Sequence, residues 1–338
     1  MTRILILLFF PLTIVCQNID KIFFKKNEVY FSFNYEKKSQ LDRLSKIISL
    51  DHKIEKTTAY AYANKKQFEN FLKENIEFKL INNQVSFDNI SKNNWDYYPT
   101  YNQYVDMMYA FADSFPNICK VHSLGTLNSG REILIVNISD NVGQKENEPS
   151  FLYTSSMHGD ELTGYVLMLR FIDDILNNYN TNSRITYLVN EIDIWINPLA
   201  NPDGAYAGGN SNVWGATRSN ANFIDLNRNF PDPQDGPHPD GNPWQEETLI
   251  FMGLSDTINF NLSSNLHTGA VVANYPWDTW SQLTADDSWW QHVCNEYADT
   301  CQFYGTGNYF TNYNDGIING YDWYEVDGGR QDYMNYYK

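Results

Sequence analysis

The chain has 338 residues, 42% of them hydrophobic, which is enough for one large domain and a small one with a sizeable core. Its formal net charge of -17 argues against nucleic acid as a partner. Residues 17–94 carry 14 Lys and Arg against 10 Asp and Glu, whereas residues 95–338 carry 9 against 31, so a basic piece precedes a strongly acidic one on which it could dock.

Residues 1–16 open with one positive charge, Arg3, and a short apolar run. That is the pattern of a secretory signal, too short to span a bilayer comfortably, with cleavage expected near Cys16–Gln17. Val15 is larger than the small residue that usually precedes a lipidated cysteine, which weighs against a lipid anchor at Cys16. No later stretch is long and apolar enough for a transmembrane segment.

Three strands are predicted next, over Val29–Phe33, Thr57–Ala63 and Glu77–Ile81. Ser39 is placed to cap a helix reaching about Ile48, with Leu41, Leu44 and Ile48 on one face. Asn64 with Gln67 resembles a capping box opening a helix to Lys73. Together these make a βαβαβ unit, a small α+β domain, and the Asn-rich stretch 82–95 reads as its linker.

From Trp95 onward the pattern is one α/β domain. A helix is expected near 101–115, strands over Arg131–Asn137 and Ser150–Thr154, and a strongly apolar helix from Glu161 to about Asn178. Ile192–Ile196 reads as a buried strand, 198–244 as a long polar loop, and helices near 245–259 and 287–300 flank a strand that runs into His267. Large surface loops are expected after residue 270. Strands alternating with helices predict a mixed central β-sheet flanked by helices on both faces. Cys294 and Cys301 lie seven apart; on a continuous helix their Cα atoms are about 10 Å apart, too far for a disulfide. Neither they nor Cys119 has metal-site spacing.

Two short segments carry the chemistry: His158-Gly-Asp-Glu161 and Asn265-Leu-His267-Thr-Gly269. Two imidazoles and a carboxylate form the three-ligand set of a catalytic zinc, with the fourth position left to water. Such a water ionises near neutral pH and attacks a carbonyl that the metal also polarises. The sequence therefore reads first as a zinc hydrolase.

Further motifs follow: Asn201-Pro-Asp-Gly204; Arg218, then Asp225-Leu-Asn227-Arg228; Tyr275-Pro-Trp-Asp278; and Gly316-Ile-Ile-Asn-Gly320 leading through Tyr324 to Gly328-Gly-Arg330-Gln331. With His158-Gly-Asp-Glu161 they resemble, in order and from about residue 97, the zinc metallocarboxypeptidases of the regulatory (carboxypeptidase N/E/D/M-like) subfamily. That resemblance implies a zinc carboxypeptidase-like fold and Zn2+ held by His158, Glu161 and His267, with Asp225 orienting the first histidine. It implies that Asn227 and Arg228 grip the substrate's terminal carboxylate, which suits a planar, bidentate guanidinium. By the same resemblance Arg218 stabilises the developing oxyanion, Tyr324 closes over the substrate, and Asp278 with Gln331 faces a basic C-terminal side chain. Arg330 stands where the subfamily usually has Met and adds a positive charge beside that pocket.

The resemblance also implies a general-base glutamate about twenty residues after the tyrosine. The chain ends fourteen residues after Tyr324, no glutamate matches, and the sequence reads as cut rather than rewritten. The expected activity is that of a secreted metallocarboxypeptidase removing one C-terminal residue, Lys or Arg, from peptides. Its rivals are the same fold acting on a cell-wall peptide, and a non-catalytic zinc- or peptide-binding module. Residues 17–94 fall outside the resemblance and read as a docked, inhibitory pro-segment or as an adaptor domain.

Overall fold

The computed structural model describes Phe23, residues 27–81 and residues 95–338. The expected signal segment and most of the expected linker lie outside the described residues.

The small unit is an antiparallel sheet of β1 (Glu28–Asn34), β2 (Ser49–Ile54), β3 (Thr58–Asn64) and β4 (Phe78–Ile81), in the order β2-β3-β1-β4. Alternation dictates its buried face: Phe31 and Phe33 of β1 and Ala59, Ala61 and Ala63 of β3 point inward. Leu41 and Leu44 of the helix Lys38–Ser45 and Phe68 and Phe71 of the helix Lys65–Leu72 complete the core. Asn64 and Gln67 form the predicted capping box. The first helix differs from expectation: its N-cap is Lys37, Ser39 lies inside its first turn, and it ends at Ser45. Ile48 is buried in the same core, but outside the helix. The chain instead turns into β2, an edge strand that the polar run Ser49-Leu-Asp-His-Lys-Ile54 does not advertise. The unit is thus βαββαβ.

The large domain holds a five-stranded sheet of β5 (Cys119–Thr126), β6 (Glu132–Ile138), β7 (Ser150–Ser155), β8 (Asp193–Asn197) and β9 (Phe260–Leu266), ordered β5-β6-β8-β7-β9. β6 pairs antiparallel with both β5 and β8, whereas β7 runs parallel to β8 and β9, so the sheet is mixed. Leu134, Val136 and Ile138 of β6 meet the helices Tyr101–Ser114, Thr163–Asn178 and Ser183–Glu191 on one face. Ile133 and Ile135 meet the helices Glu246–Thr257 and Arg330–Tyr336 on the other. A strand apolar on both sides requires this double cover. The helix Ser183–Glu191 is not legible as a separate element in the sequence; Asn182 caps it by accepting from two backbone N–H groups.

The stretch after residue 270, expected as loops, contains a parallel pair, β10 (Ala273–Tyr275) with β11 (Ile317–Asn319), packed by the helix Asp287–Tyr304. Cys294 and Cys301 share that one helix, and they and Cys119 are free. No helix among the described residues is long and apolar enough to cross a membrane.

Tyr324 and Val326 of the large domain are buried in the core cluster of the small unit, so apolar packing joins the two.

Candidate metal centre and active site

β7 and β9 are parallel, and the polypeptide leaving their carboxyl ends carries His158 and His267, the position at which open α/β sheets form sites. Glu161 N–H donates to the His158 carbonyl (3.1 Å) and Ser156 Oγ to that of Glu161 (2.8 Å). This tight turn sets the two side chains together ahead of the helix, which starts at Thr163 rather than at Glu161. Gly159 is required by close approach: a Cβ there would lie 2.3 Å from the Gly204 carbonyl carbon. The Asn201–Gly204 turn thus packs directly on the His158–Glu161 turn, and Asn201 Nδ2 donates to the Met157 carbonyl (3.2 Å).

Three side chains converge. His158 Nδ1 lies 2.9 Å from Glu161 Oε1, His267 Nδ1 lies 2.8 Å from Glu161 Oε2, and the two Nδ1 atoms are 3.1 Å apart. The edge of a tetrahedron with metal–ligand bonds of about 2.0–2.1 Å is roughly 3.3 Å. The spacing of the donor set therefore fits a metal ion, which would draw on both imidazoles and the carboxylate at once and would displace the Nδ1 proton that His267 carries while its Nε2 accepts from Asn265 Nδ2 (2.8 Å). Asp225 Oδ1 accepts from His158 Nε2 (3.0 Å), which leaves the Nδ1 lone pair facing the cluster. In the metal-free protein burial and Arg218 oppose a charge on His158, but Glu161 and Asp225 outweigh them and lift it to about 9, so a metal at Nδ1 would displace a proton there. Burial alone would raise Glu161; His158 and His267 hold it well below the usual range.

Arg218 is fully buried. Its Nη1 donates to Glu161 Oε1 (3.0 Å) and its Nε to Asp225 Oδ2 (3.1 Å). Asp225 also accepts from Asn227 N–H (2.8 Å), which fixes the short turn Leu226–Arg228. Arg228 is buried. Its Nη1 donates to the Asn227 carbonyl (2.8 Å), and Nε and Nη2 have no partner among the described residues. Asn227 Oδ1 accepts from Arg330 N–H (2.9 Å).

Asp278 and Gln331 are brought together, Gln331 Nε2 donating to Asp278 Oδ1 (3.0 Å). A Cβ on Gly320 would land 1.7 Å from that same oxygen, so the glycine keeps the approach to Asp278 clear. Burial and the neighbouring Asp332 push Asp278 well above the usual carboxylate range, and burial lifts Asp332 to about 7. Arg330 is buried, and burial alone lowers it to about 10.

The small unit reaches the same site, which its sequence did not announce. Ser49 Oγ donates to Asp225 and also accepts from Arg218 Nε. The Leu50 carbonyl lies at Arg218 Nη2 (3.4 Å), and buried Glu28 accepts from Arg218 N–H (3.0 Å) and Ser219. The His52 ring centroid is 4.7 Å from that of His267, and Tyr324 Oη is 3.3 Å from His52 Nδ1. One ligand atom each from His52, His158, Glu161 and His267 lie within 4.8 Å of one another. Burial, then His267, push His52 well below its usual value, so it is neutral. The only advance signal was a histidine in a basic segment of opposite charge to the large domain.

An α/β sheet with a cluster of histidine and glutamate at the ends of its parallel strands has the arrangement of a metal site. Residues 104–338 match the family model described as zinc carboxypeptidase, and the chain belongs to that family. It is 39% identical over 242 residues to carboxypeptidase D of Rattus norvegicus, covering 66% of this chain and 17% of the relative. Against carboxypeptidase M of Mus musculus it is 38% identical over 240 residues, covering 66% of this chain and 53% of the relative. The chain thus spans from a sixth to about half of these relatives' lengths. Carboxypeptidase A from Helicoverpa armigera has a similar structure, with a TM-score of 0.67 at 20% identity over 91% of this chain and 85% of that one. That share exceeds what residues 95–338 alone supply, so the likeness of fold extends into the small unit.

Proposed function

We propose that the chain acts as an exported, zinc-dependent carboxypeptidase that removes a single C-terminal Lys or Arg from peptides, held latent by residues 27–81. The observation that carries this reading is Arg228. A buried guanidinium with two donors unpartnered among the described residues, beside a two-histidine, one-glutamate cluster, calls for an anion, and a peptide's terminal carboxylate matches it bidentately. Export rests on the apolar run that follows Arg3.

Zinc held by His158, Glu161 and His267 would supply Lewis-acid polarisation of the scissile carbonyl and acidify a water. Arg228, with Asn227 beside it, binds the terminal carboxylate and so fixes which peptide bond is presented. Arg218 Nη2, which faces the Leu50 carbonyl in the intact chain, would turn to the scissile carbonyl oxygen, where negative charge develops, once the small unit leaves. Tyr324 covers the substrate, and Asp278 with Gln331 receives the basic side chain. Asp225 holds His158 in the ligating tautomer. The two carboxylates nearest the cluster, Glu161 and Asp225, are tied to histidine and arginine and are not free to take a proton. The general-base glutamate of the resemblance has no counterpart among the described residues. Ligand binding is therefore the direct readout for the groups assigned here.

Latency follows from Ser49, Leu50 and Glu28, which already engage Arg218 and Asp225. The test uses protein cleaved at a protease site introduced within 82–94 and freed of the small unit. It compares a peptide ending in free Arg, its C-terminal amide, and the same peptide ending in Phe. The free Arg peptide should bind at least about tenfold more tightly than either, because the amide loses the charged pair and Phe leaves Asp278 unpaired. Equal binding of the amide contradicts the carboxypeptidase reading; equal binding of Phe contradicts the pocket reading.

A further inference from the structure

β2 is not a regular strand. Leu50 pairs with Ala61 and Ile54 with Ala59, so Asp51, His52 and Lys53 stand opposite one residue, Tyr60. A bulge of this kind bends the strand and re-aims the side chains it lifts out of the ladder. The bulge is built, not frayed: Tyr30 Oη donates to Asp51 Oδ2 (2.6 Å), and Lys53 N–H donates to Asp51 Oδ1 (3.2 Å). The lifted segment lies against the loop after His267, since a Cβ on Gly269 would sit 3.0 Å from Asp51 Oδ1 and 3.6 Å from His52 Cβ.

His52 has two nitrogens with different fates. Nδ1 is 3.3 Å from Tyr324 Oη, while Nε2 is buried and has no hydrogen-bond partner among the described residues. If Nδ1–H donates to Tyr324 Oη, the neutral ring presents the Nε2 lone pair, the arrangement of a metal-ligating histidine whose other nitrogen is held by a partner. A histidine merely packed between His267 and Trp323 would leave a buried acceptor unpaired instead. Successive residues of one strand thus reach successive parts of the site: Ser49 reaches Asp225, the Leu50 carbonyl reaches Arg218, and His52 reaches the metal cluster.

We propose that His52 of the N-terminal unit takes, through Nε2, the fourth coordination position of the metal held by His158, Glu161 and His267, so that the intact chain closes its own catalytic metal. This rests on the metal-centre reading above. A zinc site with four protein ligands is of the closed, structural type, whereas catalysis needs an open position. Latency then comes from coordination as well as from shielding, and activation requires β2 to leave.

The test uses the intact, full-length chain loaded with zinc, and reads X-ray absorption at the zinc edge and the rate of zinc transfer to a chelator. Wild type should show three imidazole ligands. His52→Ala and the bulkier His52→Gln should each show two imidazoles and release zinc at least about tenfold faster. Both should keep the wild-type melting profile of the metal-free protein, which separates loss of a ligand from loss of fold. Two imidazoles in wild type, or unchanged coordination and release in a variant that keeps that profile, overturns the role of His52 while leaving the metal centre intact. If wild type holds no zinc, the metal-centre reading fails as well.

Discussion

As the proposed reader of a cation, Asp278 is held uncharged by burial and Asp332, which outweigh the opposing pull of Arg228. Asp332 itself is lifted to about 7. Without a bound cation the pair therefore keeps a proton near neutral pH that an unfolded aspartate, at about 3.9, has released. The folded state binds more protons than the unfolded one in this window, so the pair's contribution to stability is greatest at low pH and falls as pH rises from about 4 towards 7. A bound Lys or Arg side chain favours the charged form. Affinity for an Arg-terminated peptide should rise between pH 5 and 8, with no such slope for a Phe-terminated peptide. Asp278→Asn should flatten the slope, and titration calorimetry across pH checks it. The close fit at Gly159 gives a stability prediction. Gly159→Ala forces a Cβ against the Gly204 backbone and should cost about 1–3 kcal/mol, measured by denaturant unfolding. Asp225→Ala leaves His158 without its orienting partner, and zinc affinity should fall about 10–100-fold in a competition titration.

At the scale of elements, legibility followed periodicity. The strands β1, β3, β6 and β7 and the helices from Tyr101 and Thr163 carry apolar patterns that burial on a sheet demands, and each falls within a few residues of its expected span. The Asn64–Gln67 box was readable because its chemistry is local. Asn64→Ala should cost about 1 kcal/mol in thermal unfolding through loss of the cap, and it also removes the bond from Asn64 Nδ2 to the Phe223 carbonyl. β2 was not readable, because an edge strand with a bulge owes its form to pairing with β3 and to Asp51, not to alternation. The helix Lys38–Ser45 stops where the chain must turn into that strand. The short parallel pair β10–β11 is likewise fixed by residues some forty apart. Motif residues could be named in sequence because their spacing within each segment is local. Their convergence, and the part the small unit plays in it, depends on packing between segments from 53 to more than 100 residues apart.

For the whole molecule, the basic and acidic halves meet less by bulk charge than by particular contacts. Lys46 Nζ lies 3.2 Å from both Glu325 and Asp327, yet buried Glu28 and the Tyr324–Val326 packing join the units without net attraction between opposite fields. Raising salt should therefore loosen the small unit only slightly, since exposed pairs are screened and buried ones much less. Cleavage within 82–94 should not release the unit until the buried contacts are broken, a point that size-exclusion chromatography at low and high salt decides. All of this depends on one claim, that His158, Glu161 and His267 hold a metal ion. The most direct measurement is the metal content of the purified intact chain and of His267→Ala by mass spectrometry. Wild type should hold about one zinc per chain and the variant none, as for a single site that needs His158, Glu161 and His267 together. Full zinc retention in His267→Ala, or a wild-type chain that takes up no zinc, would contradict it.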